Sequence, residues 1–145
     1  MNQACPNQWE QTIRNSESKR NQDGTIGYKS EDKMLSEFMI WARNTYPKLR
    51  KTLFHIENEG VRGGEHGAED GARSLAKGKL SGVPDVCCVL PSHPCFIEFK
   101  LPKGVYSPKQ KELIDYWKEI GVVVYECRNF KDWQAIVEDK ILGIL

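Results

Sequence analysis

The sequence predicts an α/β protein, a mixed β-sheet flanked by helices with elements in the order α-β-α-β-β-α-β-α. Three observations carry this. Apolar residues recur at helical spacing in separate blocks, short runs rich in β-branched and aromatic residues fall between them, and Gly, Pro and Ser punctuate the junctions. The chain has 145 residues, enough for one domain with a self-sufficient core.

Residues 1–27 are rich in Asn, Gln, Ser and charge, so 1–29 reads as a polar, mobile N-terminal arm ahead of a domain over 30–145. Ser30 is placed to cap a helix whose Glu31 and Asp32 suit the positive end of its dipole. Leu35, Phe38, Met39 and Ala42 give that helix a buried stripe, and Pro47 lies just past its end. Residues 53–57 read as a strand with Phe54 and Ile56 on one face and His55 on the other. Residues 59–67 hold four glycines in nine positions, which suits either a loop that adapts to a substrate or a plain connection. A second helix is expected over 68–77, ended by Gly78. Ser107 and Pro108 open a third, with Leu113, Trp117 and Ile120 facing inward and Gly121 closing it. Residues 122–125 read as a buried strand, and 130–141 as a last helix with Trp133, Ile136 and Val137 toward the core.

The chemistry concentrates in residues 82–100, GVPDVCCVLPSHPCFIEFK. Side chains alternate along a strand, so Glu98 and Lys100 project together while Ile97, Phe99 and Leu101 turn to the other side. A turn over 91–95 is short enough to fold the two apolar runs into an antiparallel hairpin, which brings Asp85 alongside Glu98. Two carboxylates and an ammonium then share one pocket. Carboxylate oxygens are hard ligands suited to Mg2+ or Mn2+, and the carbonyl of Phe99 is a third candidate ligand. An ion held there activates water and offsets charge in an in-line displacement at phosphorus, with Lys100 holding or helping to deprotonate the water and facing the phosphate. The plainer account is that Glu98 and Lys100 line a solvated face and that Pro84-Asp85 is an ordinary turn.

Around this trio the sequence resembles the PD-(D/E)xK nuclease superfamily, and within it the virus-type replication-repair nuclease domain, VRR-NUC. The matching residues are Gly82-Val83-Pro84-Asp85, Ile97-Glu98-Phe99-Lys100, Pro102-Lys103-Gly104 and Ser107-Pro108-Lys109-Gln110-Lys111. Trp41-Ala42-Arg43, Tyr46-Pro47 and Phe54-His55-Ile56-Glu57-Asn58 resemble the stretch preceding the site in phage-encoded members. The resemblance implies a restriction-endonuclease-like core, a Mg2+ or Mn2+ ion held by Asp85 and Glu98, and Lys100 as catalytic lysine. It implies a helical glutamate before the site, matched best by Glu31 as a further candidate metal ligand, and a glutamine near the metal, matched by Gln110. Gln110 also completes a capping box with Ser107, and both roles stay open. Small members resemble Holliday-junction-resolving enzymes, which implies branched DNA as partner and a homodimer, with Trp41, Tyr116 and Tyr125 as interface candidates. The chain departs from relatives at Asn58-Glu59-Gly60, where Asn-Gly-Gly is common. A flap- or restriction-like nuclease and a non-catalytic DNA-binding module are the alternative readings.

Composition narrows the partners. A net charge of +1 is not that of a nonspecific nucleic-acid binder. Its basic residues cluster instead at Arg43, Lys48, Arg50 and Lys51, at Arg73, Lys77 and Lys79, and at Lys100, Lys103, Lys109 and Lys111. Asn58, Arg62, Lys79, Lys103 and Lys109 are the candidate DNA contacts, set around the acidic pocket. Hydrophobic residues make up 39% and charged residues 28%, with no run approaching the ~18 apolar residues of a membrane span. Residues 1–27 lack the order of a signal peptide, and an intracellular place, the bacterial host cytoplasm, is expected. The five cysteines are an odd number without finger spacing, which reads as small core residues rather than disulfides or a zinc site.

Overall fold

The computed structural model describes residues 19–20, 26–57 and 67–145. Most of the predicted N-terminal arm, Asn58, Glu59, Arg62 and His66 lie outside the described residues, as does the 59–67 loop apart from Gly67. Two short strands, β1 (Lys19–Arg20) and β2 (Ile26–Gly27), pair antiparallel. Then follow α1 (Glu31–Thr45), a 3-10 turn (Pro47–Lys51), β3 (Leu53–His55), α2 (Gly67–Ala76), β4 (Val86–Cys88), β5 (Cys95–Phe99), α3 (Pro108–Glu119), β6 (Val123–Cys127) and α4 (Phe130–Ala135). From α1 onward the order is the one the sequence predicts.

The four main strands lie in the order β3-β4-β5-β6. β3, β4 and β5 run antiparallel, and β6 returns parallel to β5 after the α3 crossover. One face of the sheet supplies Leu53, Val86, Cys88, Cys95, Ile97 and Phe99 to the core, where α1 contributes Met34 and Phe38 and the last helix Trp133, Val137 and Ile141. Phe38, Phe99 and Trp133 meet at its centre, and the Trp133 indole donates to the Phe38 carbonyl over 2.9 Å. Ser30 caps α1 by accepting from the Lys33 amide at 3.2 Å. The final helix leaves α geometry after Ala135 for a π turn over Ile136–Ile141, which turns Ile136, Val137 and Ile141 inward together.

Three sequence expectations shift. In α3 the fully inward residue is Ile114, with Leu113 and Trp117 half-buried and Ile120 exposed, because Ile120 sits at the C-cap beyond the last turn that touches the sheet. β6 is an edge strand, so Val123, Val124 and Tyr125 are half-buried rather than buried. Leu53 holds the core side of β3, leaving Phe54 exposed on the opposite face. The described cysteines Cys87, Cys88, Cys95 and Cys127 are all free and buried, and His93 is exposed. No helix among the described residues is long and apolar enough to cross a membrane.

Candidate functional site

The β4–β5 hairpin builds the site by register. Val86 pairs with Ile97 and Cys88 with Cys95, so the next position outward sets Asp85 opposite Glu98. Strand alternation sends Ile97 and Phe99 into the core and Glu98 to the other face, beneath α3. Asp85 is held at both ends. Its carbonyl accepts from the Ile56 amide at 2.7 Å and lies 2.8 Å from His55 Nδ1, while Oδ2 accepts from the Phe99 amide at 2.9 Å. His55 is thus a support at the pocket edge. Phe99 buries its ring in the core and offers its backbone to the site.

Glu98 is fully buried, and its Oε2 has no hydrogen-bond partner. Burial, then the charge of Asp85, push its pKa up to about 7 against the opposing pull of Lys100. Asp85 is also raised, first by burial. The Lys100 ammonium lies 3.0 Å from Glu98 Oε1 and 3.5 Å from Glu31 Oε2, so the first residue of α1 reaches the same cluster. Burial disfavours that ammonium, but the hydrogen bond to Glu98 and the carboxylates around it outweigh burial and hold its pKa above the ordinary lysine value. In the metal-free chain the ammonium form of Lys100 is therefore favoured.

A divalent cation fits these donors. A buried carboxylate oxygen without a partner, beside a second carboxylate that disfavours its ionisation, calls for positive charge. Among the described residues no group of three or more His, Cys, Asp or Glu side chains forms a cage. Asp85 and Glu98 with backbone and water make the sparse, oxygen-only set that Mg2+ accepts.

Gln110 joins the cluster from α3. Its Nε2 donates to Glu98 Oε1 over 2.8 Å, while its Oε1 accepts from the Ser107 amide at 3.0 Å and its own amide donates to Ser107 Oγ at 3.2 Å. The capping box and the contact with Glu98 coexist because each end of the amide serves one of them. Gly82 sets the distance between hairpin and helix. It has φ +84°, and a Cβ there would lie 2.7 Å from the Lys109 carbonyl oxygen and 3.0 Å from Gln110 Cα.

The basic residues divide. Lys103 and Lys109 are exposed on the turn and helix start beside the site, and Lys79 is half-buried just ahead of the Pro84-Asp85 motif. Arg43 and Arg50 are engaged with each other's carbonyls, Arg73 pairs with Glu69 and Asp70, and Lys111 pairs with Asp115. Of the dimer candidates, Trp41 packs on Tyr46 and Phe130 and Tyr125 lies against the core, which leaves Tyr116 exposed.

Sequence reasoning missed Tyr106, Glu126 and Arg128. The signal is Glu126-Cys127-Arg128, a second acidic-x-basic triplet that runs off the end of β6, where the parallel pairing sets Glu126 and Cys127 in register with Glu98 and Phe99. Only the strand pairing reveals it.

The α/β fold thus sets the half-buried Asp85 opposite the buried Glu98, with the buried Lys100 beside it. Residues 40–131 match the VRR-NUC domain family, and the chain belongs to it. A solved structure described as a VRR_NUC domain protein is similar in fold, with a TM-score of 0.61 at 19% identity over 77% of this chain and 88% of that one. No curated protein matches the chain in sequence.

Proposed function

We propose that this chain is a Mg2+- or Mn2+-dependent endodeoxyribonuclease that hydrolyses phosphodiester bonds in branched DNA, in the manner of a Holliday-junction-resolving enzyme, and acts as a homodimer in the cytoplasm of a bacterial host. The observation that carries the reading is the unpartnered, buried Oε2 of Glu98, set opposite Asp85 and 3.0 Å along its other oxygen from the Lys100 ammonium. Asp85, Glu98 and the Phe99 carbonyl would hold the ion, with Glu31 at the rim of the cluster. Bound there, such an ion would supply Lewis-acid chemistry, polarisation of the phosphate and activation of the attacking water. Lys100, kept protonated by its carboxylate neighbours, places positive charge where the pentavalent phosphorus gathers negative charge. Gln110 holds Glu98 in orientation through its amide. Lys79, Lys103 and Lys109 contact backbone phosphates and set register without reading sequence.

The preference for branched DNA rests on the likeness of small family members to junction-resolving enzymes. A four-way junction has two scissile strands related by approximate two-fold symmetry, which two sites in a dimer match. The test is a cleavage panel of duplex, flap, replication-fork and four-way-junction DNA under Mg2+ and Mn2+, with sedimentation at micromolar concentration. The expected result is a dimer that cuts junctions fastest by paired nicks. Fastest cutting of flaps by a monomer would assign the flap-nuclease reading instead, and binding without cutting would assign the non-catalytic one.

A further inference from the structure

We propose that Arg128 is a positioning residue for strand cleavage, its guanidinium fixing the turn that joins Lys100 to the helix carrying Gln110. Phe99 pairs with Cys127, and the Lys100 amide donates to the Cys127 carbonyl over 3.0 Å, so Arg128, one residue past the end of β6, follows alongside Lys100. From there its Nη1 donates to three carbonyls of one turn, Leu101 at 3.0 Å, Pro102 at 3.2 Å and Gly104 at 2.9 Å. The turn is closed on itself by the Gly104 amide to the Leu101 carbonyl at 2.8 Å.

The other side of the guanidinium is fixed as well. Its Nε donates to Glu126 Oε1, and Glu126 Oε2 accepts from the Tyr106 hydroxyl. The Tyr106 ring lies 5.6 Å from Lys100 Nζ, within cation–π reach. The chain of contacts therefore runs from Arg128 through Glu126 and Tyr106 back to the ammonium it positions. The turn also meets Glu31, whose Oε1 lies 3.2 Å from where a Cβ on Gly104 would stand. Arg128 has no contact with Asp85 or Glu98 among these bonds, so it acts through the turn rather than on the reacting atoms. A lysine keeps the charge but not the planar fork that satisfies Glu126 and the turn together.

This inference rests on the nuclease reading of the site, so its test separates the two. Wild type, Arg128→Lys, Arg128→Ala and Asp85→Asn are assayed on junction DNA with Mn2+, and amide hydrogen exchange is followed at Gly104. Arg128→Lys is expected to lower kcat by about tenfold to a hundredfold with KM for DNA within about twofold, the scale of a misplaced catalytic group. Gly104 exchange should quicken about tenfold or more. Quickened exchange with wild-type kcat in Arg128→Lys overturns the positioning role, and unchanged exchange in both variants overturns the clamp itself. Equal inactivity of wild type and Asp85→Asn on every DNA tested fails the nuclease reading, and the positioning role falls with it even where the exchange result shows the clamp intact.

Discussion

Gln110 donates to Glu98 Oε1 over 2.8 Å while the other end of the same amide caps α3 at Ser107. Replacing Gln110 with Glu keeps an acceptor for the Ser107 amide and turns the donor toward Glu98 into a second negative charge. Cleavage should fall by about tenfold or more, since a positioned hydrogen bond to a buried charge is lost. Melting temperature at pH 5 should match wild type and fall below it only near pH 8, where Glu98 is ionised. Wild-type cleavage in this variant would reduce Gln110 to a helix cap.

Asp85→Asn and Glu98→Gln should each nearly abolish cleavage and weaken Mg2+ or Mn2+ binding in calorimetry. Both swaps are close to isosteric, and the fold should survive. Wild-type cutting by either variant would remove that residue from the metal site.

The metal-free chain should lose stability as pH rises. Glu98 holds its proton up to about 7 in the folded state, against an ordinary value of 4.5, because of burial and the charge of Asp85. Between those values the folded chain binds the proton that the unfolded chain has released, so its contribution falls across that window and levels off above it. The difference in melting temperature between wild type and Glu98→Gln isolates this group from the others, and Mg2+ or Mn2+ at pH 8 should close it. A difference independent of pH would show that Glu98 titrates normally.

Lys100→Ala should slow cleavage by about a hundredfold or more, the scale of losing a positioned charge or proton-handling group. Metal affinity should change far less than rate, because the ammonium balances the carboxylates rather than binding the ion. Calorimetry showing the larger loss in affinity would make Lys100 a structural partner only.

Gly82→Ala and Gly121→Ala separate backbone strain from close approach. Both glycines have positive φ, but a Cβ at Gly121 meets nothing within 4 Å whereas one at Gly82 meets the Lys109 carbonyl at 2.7 Å. Gly121→Ala should cost about 1 kcal/mol, the conformational part alone. Gly82→Ala should cost about 2 kcal/mol or more and should also depress cleavage, since helix and hairpin must move apart. Equal losses in the two would mean that the contact relaxes without consequence.

Much of the site was legible because its logic is local. Period-two alternation placed Glu98 and Lys100 together, a short turn placed Asp85 opposite Glu98, and Ser107 with Gln110 announced a helix start. The unread parts depend on how elements lie against each other. Whether Ile114 or Leu113 turns inward is set by which stretch of the sheet α3 crosses, and whether Val123 is buried is set by β6 standing at an edge. Arg128 belongs to the same kind. Nothing near it in sequence tells that its acceptors are Leu101, Pro102 and Gly104.

Asp85 and Glu98 meet within one hairpin, whereas Lys100 gains its neighbours on β6 only after α3 has crossed the sheet. Closing a short connection costs less chain entropy than closing a long one, and local pairings tend to form earlier. The order of assembly this implies brings two carboxylates together before Tyr106 and Arg128 arrive to organise the lysine's surroundings. At neutral pH the hairpin then forms against its own charge. A refolding rate that climbs with millimolar Mg2+ and is indifferent to it in Glu98→Gln is the kinetic signature of such an order, which would make the ion an early participant in folding as well as in chemistry.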